Sequence, residues 1–230
     1  MSPQSIYDAA LHHPGIAWLA AVVTAIAFAR RQRFLVGWFV LFLLAIVADA
    51  WATGAFTRVP AEQGWIAGVV FVILGDLRFF LLAERYARGK LDRKGIATAL
   101  GLALLVPVAT EVLRRAVPLI GSTPRYTFLA YEVMFLVLAT VMRFVVYPSR
   151  LLGMVQAPVR HWVLSIASFE ILQYALWVAC DLLILAGVEW ALVLRIAPNT
   201  LYYALFLPFV VLRAPEAAWL PSASRASRPG

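Results

Sequence analysis

The sequence predicts an all-α bundle of seven membrane-spanning helices, with the N-terminus outside and the C-terminus in the cytoplasm. Three observations support this fold class. Hydrophobic residues make up 63% of the 230 residues and charged residues only 14%, and the mean hydropathy is +0.84, as expected for a chain built of long apolar stretches. Seven apolar segments each approach the ~20 residues that a helix needs to cross a bilayer. Basic residues accumulate in alternate loops.

The seven segments occupy nearly the whole chain, so we expect a single transmembrane domain over residues 1–213 and no separate soluble domain. Residues 214–230 are expected to form a disordered cytoplasmic tail, because its end, WLPSASRASRPG, is rich in Ser, Pro and Arg, a composition typical of disorder. The segments are 15–29, 34–54, 64–86, 95–116, 126–146, 160–186 and 189–212.

The distribution of basic residues predicts the orientation. Most of the twenty Lys and Arg residues follow the first, third, fifth and seventh segments, and the positive-inside rule places these loops in the cytoplasm. The first fourteen residues lack the basic region of a cleavable signal peptide. We therefore expect a multi-pass protein of a bacterial cytoplasmic membrane. Its net charge of +8 reflects topology and contact with membrane lipid, and no nucleic-acid partner is expected.

The first three segments contain one strong candidate for function. Segment 15–29 has no polar feature, and His12 and His13 before it are interpreted as a solvated tail. Asp49 lies near the end of the second segment, where structural and functional roles both remain open. Asp76 lies near the middle of the third, where a carboxylate is costly and therefore a functional candidate. Arg78, two residues later, cannot share its helix face and is expected to pair with a carboxylate on another helix or to extend to the membrane interface.

The fourth and fifth segments contribute less. Glu111 has Arg114 and Arg115 within one helical turn, which favours an interfacial salt bridge over catalysis. Glu132, in the fifth segment, could join a polar site or remain structural. At the cytoplasmic end of the third segment, Glu84 is interpreted as flanking charge.

The last two segments carry the densest set of polar residues. They are joined by a tight turn at 186–188, which makes them antiparallel neighbours. On each helix the polar residues repeat at helical spacing and so share one face. These are Glu170, Tyr174, Trp177 and Asp181 on the sixth segment, and Arg195, Asn199 and Tyr202 on the seventh. Asp181 and Arg195 are expected to lie opposite each other, either as a structural pair or as part of a site.

Several chemistries do not fit the residues available. A retinal Schiff base needs a lysine amine, and Lys90 and Lys94 both lie in a predicted cytoplasmic loop. No histidine lies at membrane depth for haem ligation or a Ser-His-Asp triad. Cys180 is the only cysteine, so no disulfide or cysteine metal motif is possible. No cofactor and no metal are expected, and the remaining carboxylates, Arg, Asn and Tyr suit acid–base hydrolysis or ion handling.

Two short motifs resemble the lysoplasmalogenase membrane family. Asp76 ends FVILGD, with Phe71 matching an aromatic residue five positions before the family's aspartate. Asp181 ends YALWVACD, where Trp177 matches another family aromatic but Cys180 replaces a serine. The late Tyr-Tyr-Ala at 202–204 is also similar. The chain departs from the family in having Val72 for a serine and seven predicted spans instead of eight.

This resemblance implies hydrolysis of the vinyl-ether bond of a lysoplasmalogen, which releases a fatty aldehyde and a glycerophospho-alcohol. The partner would be a small-molecule lipid substrate. Asp76 and Asp181 would be the catalytic acid and base, in an order left open. The implied substrate-binding residues are Arg195, which would hold the lipid phosphate, Asn199 and Tyr202, which would orient water or a glycerol oxygen, and Glu170, Tyr174 and Glu132.

Two other classes of function remain open at this point. Carboxylates on several helices beside a helix broken by Pro198 are also typical of a small proton- or ion-coupled transporter. The polar residues could instead fix the packing of a receptor or an assembly subunit. A lipid-accessible cavity ending at Asp76 and Asp181 would favour the enzyme, and a water path reaching both faces would favour the transporter. The sequence does not indicate an oligomeric state.

Overall fold

The computed structural model describes residues 2–8, 34–53 and 61–219, and nothing but helix, turn and short connection occurs in these ranges. Nine helices are found there: α1 Pro3–Tyr7, α2 Phe34–Thr53, α3 Ala61–Ala87, α4 Arg93–Ala116, α5 Pro118–Ser122, α6 Pro124–Leu151, α7 Ala157–Leu185, α8 Ala191–Arg213 and α9 Glu216–Trp219. The predicted all-α fold class is therefore confirmed.

Four of these helices, α4, α6, α7 and α8, are long and apolar enough to cross a membrane, and α2 contains a shorter apolar stretch at Gly37–Ala52. The structure thus supports an integral membrane protein. The count of seven spans and the orientation of the termini stay predictions. The first predicted segment, 15–29, and the two histidines before it lie outside the described residues.

Short connections make successive long helices antiparallel. We call the end of the bundle that carries Ala116, Pro124 and Leu185 the upper end, and the opposite end, with Arg93 and Leu151, the lower end. Helix α3 packs against α2, α4 and α7, and its lower end also contacts the end of α6. Because α3 touches so many helices, its polar residues are placed among side chains from all parts of the chain.

Aromatic side chains fill the lower half of the bundle. Phe79 packs edge-on against Tyr147 at 5.9 Å between ring centroids, and Tyr86 packs edge-on against Trp162 at 5.2 Å; all four are buried. The indole of Trp162 donates to the carbonyl of Val210 at 3.0 Å, which satisfies a backbone acceptor near the end of α8. This half of the molecule is a packed core.

Two π-turns interrupt α6 and α8, at Met142–Val146 and Leu201–Leu205. Each is followed by a proline, Pro148 or Pro208. A proline ring clashes with the carbonyl four residues earlier, and that carbonyl falls inside the π-turn in both cases. The widened turn relieves the clash. In α8 it also brings Tyr202 and Tyr203 into the interior as consecutive buried residues.

The lower end is more tightly packed than the sequence indicated. Glu84, interpreted as flanking charge, is fully buried, and its carboxylate accepts from both terminal nitrogens of Arg150, one at 2.7 Å. Beyond the predicted domain boundary at 213, helix α9 packs back, because Tyr86 donates to the carbonyl of Ala218 at 2.9 Å. The packed part of the chain therefore runs to Trp219, into the predicted disordered tail.

The N-cap of α4 gives a pH-dependent prediction. Asp92 accepts from the backbone N–H of Gly95 at 2.7 Å, and this bond, followed by that from Arg88, holds the pKa of Asp92 below its ordinary value of 3.8. A lowered pKa stabilises the folded state above pH 3.8, and this contribution is lost as the pH falls through the folded-state pKa. Asp92→Ala is expected to lower the thermal unfolding midpoint in detergent by a few degrees at pH 7. Asp92→Asn keeps an acceptor and should lose little, whereas equal losses in both variants would contradict the capping role.

Candidate functional site

Asp76 lies in the interior, where three helices converge. It is 2% exposed and accepts hydrogen bonds from two phenols, Tyr131 of α6 and Tyr174 of α7; the latter is 2.8 Å from Oδ1. The ring of Tyr174 stacks on Phe135 at 4.1 Å between centroids, which holds its hydroxyl in place. A carboxylate group with two phenol partners in an apolar surrounding suits proton transfer.

The preceding residue, Gly75, allows α8 to approach α3. A Cβ at this position would lie 2.6 Å from the hydroxyl oxygen of Tyr202 and 2.9 Å from its ring, which is closer than any real side chain tolerates. The Tyr202 hydroxyl donates to the carbonyl of Phe71 at 3.3 Å. Glycine is therefore required here so that Tyr202 can lie against α3.

Gly75→Ala is accordingly expected to displace Tyr202 and destabilise the protein by about 1–3 kcal/mol, the usual cost of overpacking. Unfolding by SDS titration in mixed micelles measures this change. Adding Tyr202→Leu should recover part of the loss, since the shorter side chain leaves room for the new methyl group. If Gly75→Ala alone were as stable as the parent, the close contact between α3 and α8 would be unimportant.

Asp181, on α7, is at the centre of a second polar cluster nearer the upper end. Its Oδ1 lies 3.1 Å from Nε of Arg195 and accepts from Nη1 of Arg125 at 3.0 Å. The other side of the Arg195 guanidinium donates to Glu132 at 2.9 Å. The predicted pair between Asp181 and Arg195 is thus confirmed, and Glu132 joins the same cluster. Asp181 is fully buried, whereas the Arg125 side chain is 29% exposed.

Asn199 connects α7 and α8 to the start of the chain. Its side-chain oxygen accepts from the indole of Trp177 at 2.9 Å, and its amide donates to the hydroxyl of Tyr7 at 3.3 Å. Helix α1, which carries Tyr7, packs against the beginning of α8. Tyr7 therefore contributes to the wall of the site.

One cavity of about 400 Å³ connects these groups; we call it the polar cleft. Its polar wall includes Arg125, Tyr131, Glu132, Tyr174, Arg195 and Asn199, and Asp49 and Tyr202 also border it. Asp76 lies behind Tyr131 and Tyr174, and Asp181 lies behind the two arginines. The two aspartates are thus at different depths, since Tyr174 and Asp181 are seven residues, or about 10 Å, apart along α7.

Glu170 is the predicted site residue that lies away from the cleft. It is 1% exposed and pairs with Arg78, with 3.5 Å between Oε1 and Nη2. The guanidinium of Arg78 also donates to the carbonyl of Tyr202 and lies 3.7 Å from the centre of the Phe206 ring. The expectation that Arg78 pairs with a carboxylate on another helix is confirmed, and this pair lies below Asp76.

The structure also brings in residues that the sequence did not single out. Tyr131 has a weak signal in the sequence, because Thr127, Tyr131 and Phe135 recur every four residues, as on one helix face. In the structure all three are buried. No comparable signal marks Arg125, since one arginine at a helix start is ordinary.

Metal binding finds no support in the described ranges, in which no group of three or more His, Cys, Asp or Glu residues is placed to hold an ion. The chain matches no family model, and no curated protein or solved structure is detectably similar to it. The geometry of the cleft and the two short motifs are therefore the features of this chain that bear on its function.

Proposed function

We propose that this integral membrane protein is a hydrolase of the vinyl-ether bond in single-chain ether phospholipids, as its motifs imply. The observation that carries the proposal is the polar cleft. Its wall joins the phenol partners of Asp76 to the guanidinium partners of Asp181 in one space of about 400 Å³, which is within the range of small-molecule sites.

The reaction needs a proton donor for the enol-ether carbon and a base that activates water at the adjacent, oxocarbenium-like carbon. The resulting hemiacetal breaks down to the aldehyde and the free glycerol hydroxyl, so that one water is consumed. We assign the proton to Asp76, because its carboxyl group contacts two phenols, whereas that of Asp181 contacts two guanidinium groups. Both phenols line the cleft, so a proton leaving Asp76 reaches the substrate through a hydroxyl group.

The base is assigned to the cluster that Arg195 holds together. Glu132 borders the cleft, and its Oε2 has no hydrogen-bond partner among the described residues. Asp181 lies behind Arg125 and Arg195 and keeps both guanidinium groups at the cleft. These two arginines supply the charge that a lipid phosphate would bind, with Asn199 and Tyr202 beside them.

Aldehyde release from a lysoplasmalogen by the purified protein tests the proposal. Asp76→Asn and Glu132→Gln are each expected to lower the rate by about 10²–10⁴, the usual contribution of a general acid or base. If Asp181 positions the two arginines, Asp181→Asn should mainly raise KM. If Asp181 is itself the base, the variant should mainly lower kcat. Glu216→Gln, an exposed carboxylate at the lower end, is the control. A folded protein that releases no aldehyde would refute the hydrolase.

One observation favours a second candidate, a proton- or ion-coupled transporter. The ion pair of Arg78 and Glu170 lies below Asp76, towards the lower end. Buried carboxylates therefore occur at several depths of the bundle. Proton or ion flux in liposomes would test this. Flux that is abolished by Glu170→Gln, without aldehyde release, would favour the transporter.

A further inference from the structure

A second cavity lies beside the polar cleft, between α3, α4 and α6. It has a volume of about 470 Å³, and we call it the side pocket. Val69 and Val72 of α3, Pro107 and Thr110 of α4, and Phe128 and Tyr131 of α6 form most of its wall. The wall is mainly apolar, and its charged residues, Glu111, Arg114 and Arg115, lie together at the upper end.

The side pocket and the polar cleft share three wall residues, Val72, Phe128 and Tyr131. The two spaces therefore adjoin each other at these three side chains. Phe128, which is 41% exposed, is the largest apolar residue of the three. Tyr131 is the one that donates a hydrogen bond to Asp76. A molecule lying across both spaces would pass directly over the proposed proton donor.

The side pocket opens towards the apolar surface of the bundle. Val70 of α3 and Val112 of α4 are 46% and 62% exposed. Helix α4 is long and apolar enough to cross a membrane, and the exposed apolar surface of such a helix faces lipid. At the upper rim, Arg114 and Arg115 both donate to Glu111, at 2.8 and 2.7 Å. The charged side chains of the pocket therefore pair with one another at its rim, and the rest of the wall offers mainly apolar contact to a ligand.

Thr110 is an independent indication of a ligand. It is 6% exposed and lies in the pocket wall, and its hydroxyl has no hydrogen-bond partner among the described residues. A buried hydroxyl without a partner is costly, and an oxygen atom near the head of a lipid chain would satisfy it. The cavity volume of about 470 Å³ is also within the range of small-molecule sites.

We propose that the side pocket binds the hydrocarbon chain of a single-chain lipid whose headgroup lies in the polar cleft. The junction between chain and headgroup then falls at Tyr131, above Asp76. This inference rests on the proposed function for its choice of ligand. It adds the direction from which the lipid arrives, sideways from the bilayer, and the reason for selecting lipids with one chain.

Photolabelling tests the inference without requiring hydrolysis. The probe is a saturated lysophosphatidylcholine with a diazirine in its chain, added to the protein in detergent, and labelled peptides are mapped by mass spectrometry. Labels are expected on the walls of the side pocket. Val69→Trp should fill the pocket and reduce labelling about tenfold, because each methylene excluded from apolar contact weakens binding about fourfold. Val70→Trp, one residue away and facing outward, is the matched control.

A second pair of variants tests the wall that α4 contributes to the side pocket. Thr110→Phe should reduce labelling as Val69→Trp does, and the exposed Val108→Phe should not.

Equal labelling in filled and control variants would overturn the inference. So would equal competition by a diacyl phosphatidylcholine, which would make the pocket an ordinary lipid-facing groove. Specific labelling without aldehyde release would support the chain site and refute only the hydrolase. Aldehyde release that is unaffected by filling the pocket would support the hydrolase and refute the chain site.

Discussion

Glu170→Leu is expected to destabilise the protein by about 3–5 kcal/mol, the usual effect of leaving one member of a buried ion pair alone. Glu170 and Arg78 are each 1% exposed, so water cannot replace the lost carboxylate. The remaining contacts of Arg78, with the carbonyl of Tyr202 at 3.2 Å and the ring of Phe206, do not compensate for a full charge. SDS titration in mixed micelles measures the free energy of unfolding.

The double variant Arg78→Met with Glu170→Leu is the decisive control. Replacing both members of a buried pair by apolar residues of similar size is often neutral or stabilising. Stability is therefore expected to return towards that of the parent. A double variant that is as unstable as Glu170→Leu would show that Arg78 has a structural role beyond this pair. A stable Glu170→Leu protein would contradict the burial of the pair.

Arg195→Leu is the second substitution with a large expected effect. Its guanidinium contacts both Glu132 and Asp181, at 2.9 and 3.1 Å, and both carboxylates are buried. Removing it leaves two neighbouring carboxylates with Arg125 as the nearest remaining cation. A loss of about 3–5 kcal/mol is expected, together with loss of binding of any phosphate-bearing ligand.

Arg125→Leu provides the comparison. Arg125 bonds only Asp181 among the described residues, and its side chain is 29% exposed. Its removal should therefore cost clearly less stability than Arg195→Leu. Arg195→Lys should be intermediate, because an ammonium group cannot contact two carboxylates in the fixed geometry of a guanidinium. Equal losses for Arg125→Leu and Arg195→Leu would contradict the central position of Arg195.

The sequence was informative wherever partners lie on one helix or on adjacent helices. Spacing of three and four residues predicted the salt bridges of Glu111 and the common face of Glu170, Tyr174 and Asp181. The short turn at Gly187, whose φ is +85°, made Asp181 and Arg195 opposite neighbours. These inferences held because helical periodicity and a tight turn fix local geometry within a few residues.

The burial of Glu84 shows where this reasoning fails. Its position near the lower end predicted contact with water, yet it binds Arg150, 66 residues away in the chain. Helix periodicity tells which residues share a face, but it does not tell which face of another helix that surface meets. The packing of α9 beside Tyr86 was not predicted either. The Ser/Pro/Arg-rich composition of the chain end favoured disorder, and helix periodicity does not reveal a contact between two distant segments.

By itself, then, the sequence determined that this protein is helical and apolar enough for a membrane, and which residues form its polar faces. Only the tertiary structure decided that Tyr131 and Tyr174 bind Asp76, that Arg78 pairs with Glu170, and that the side pocket borders the polar cleft. The physical reason is that period and composition are properties of each segment alone. The contacts of α3 depend on how its neighbours α2 and α4, and the more distant α6 and α7, rotate and pack against it.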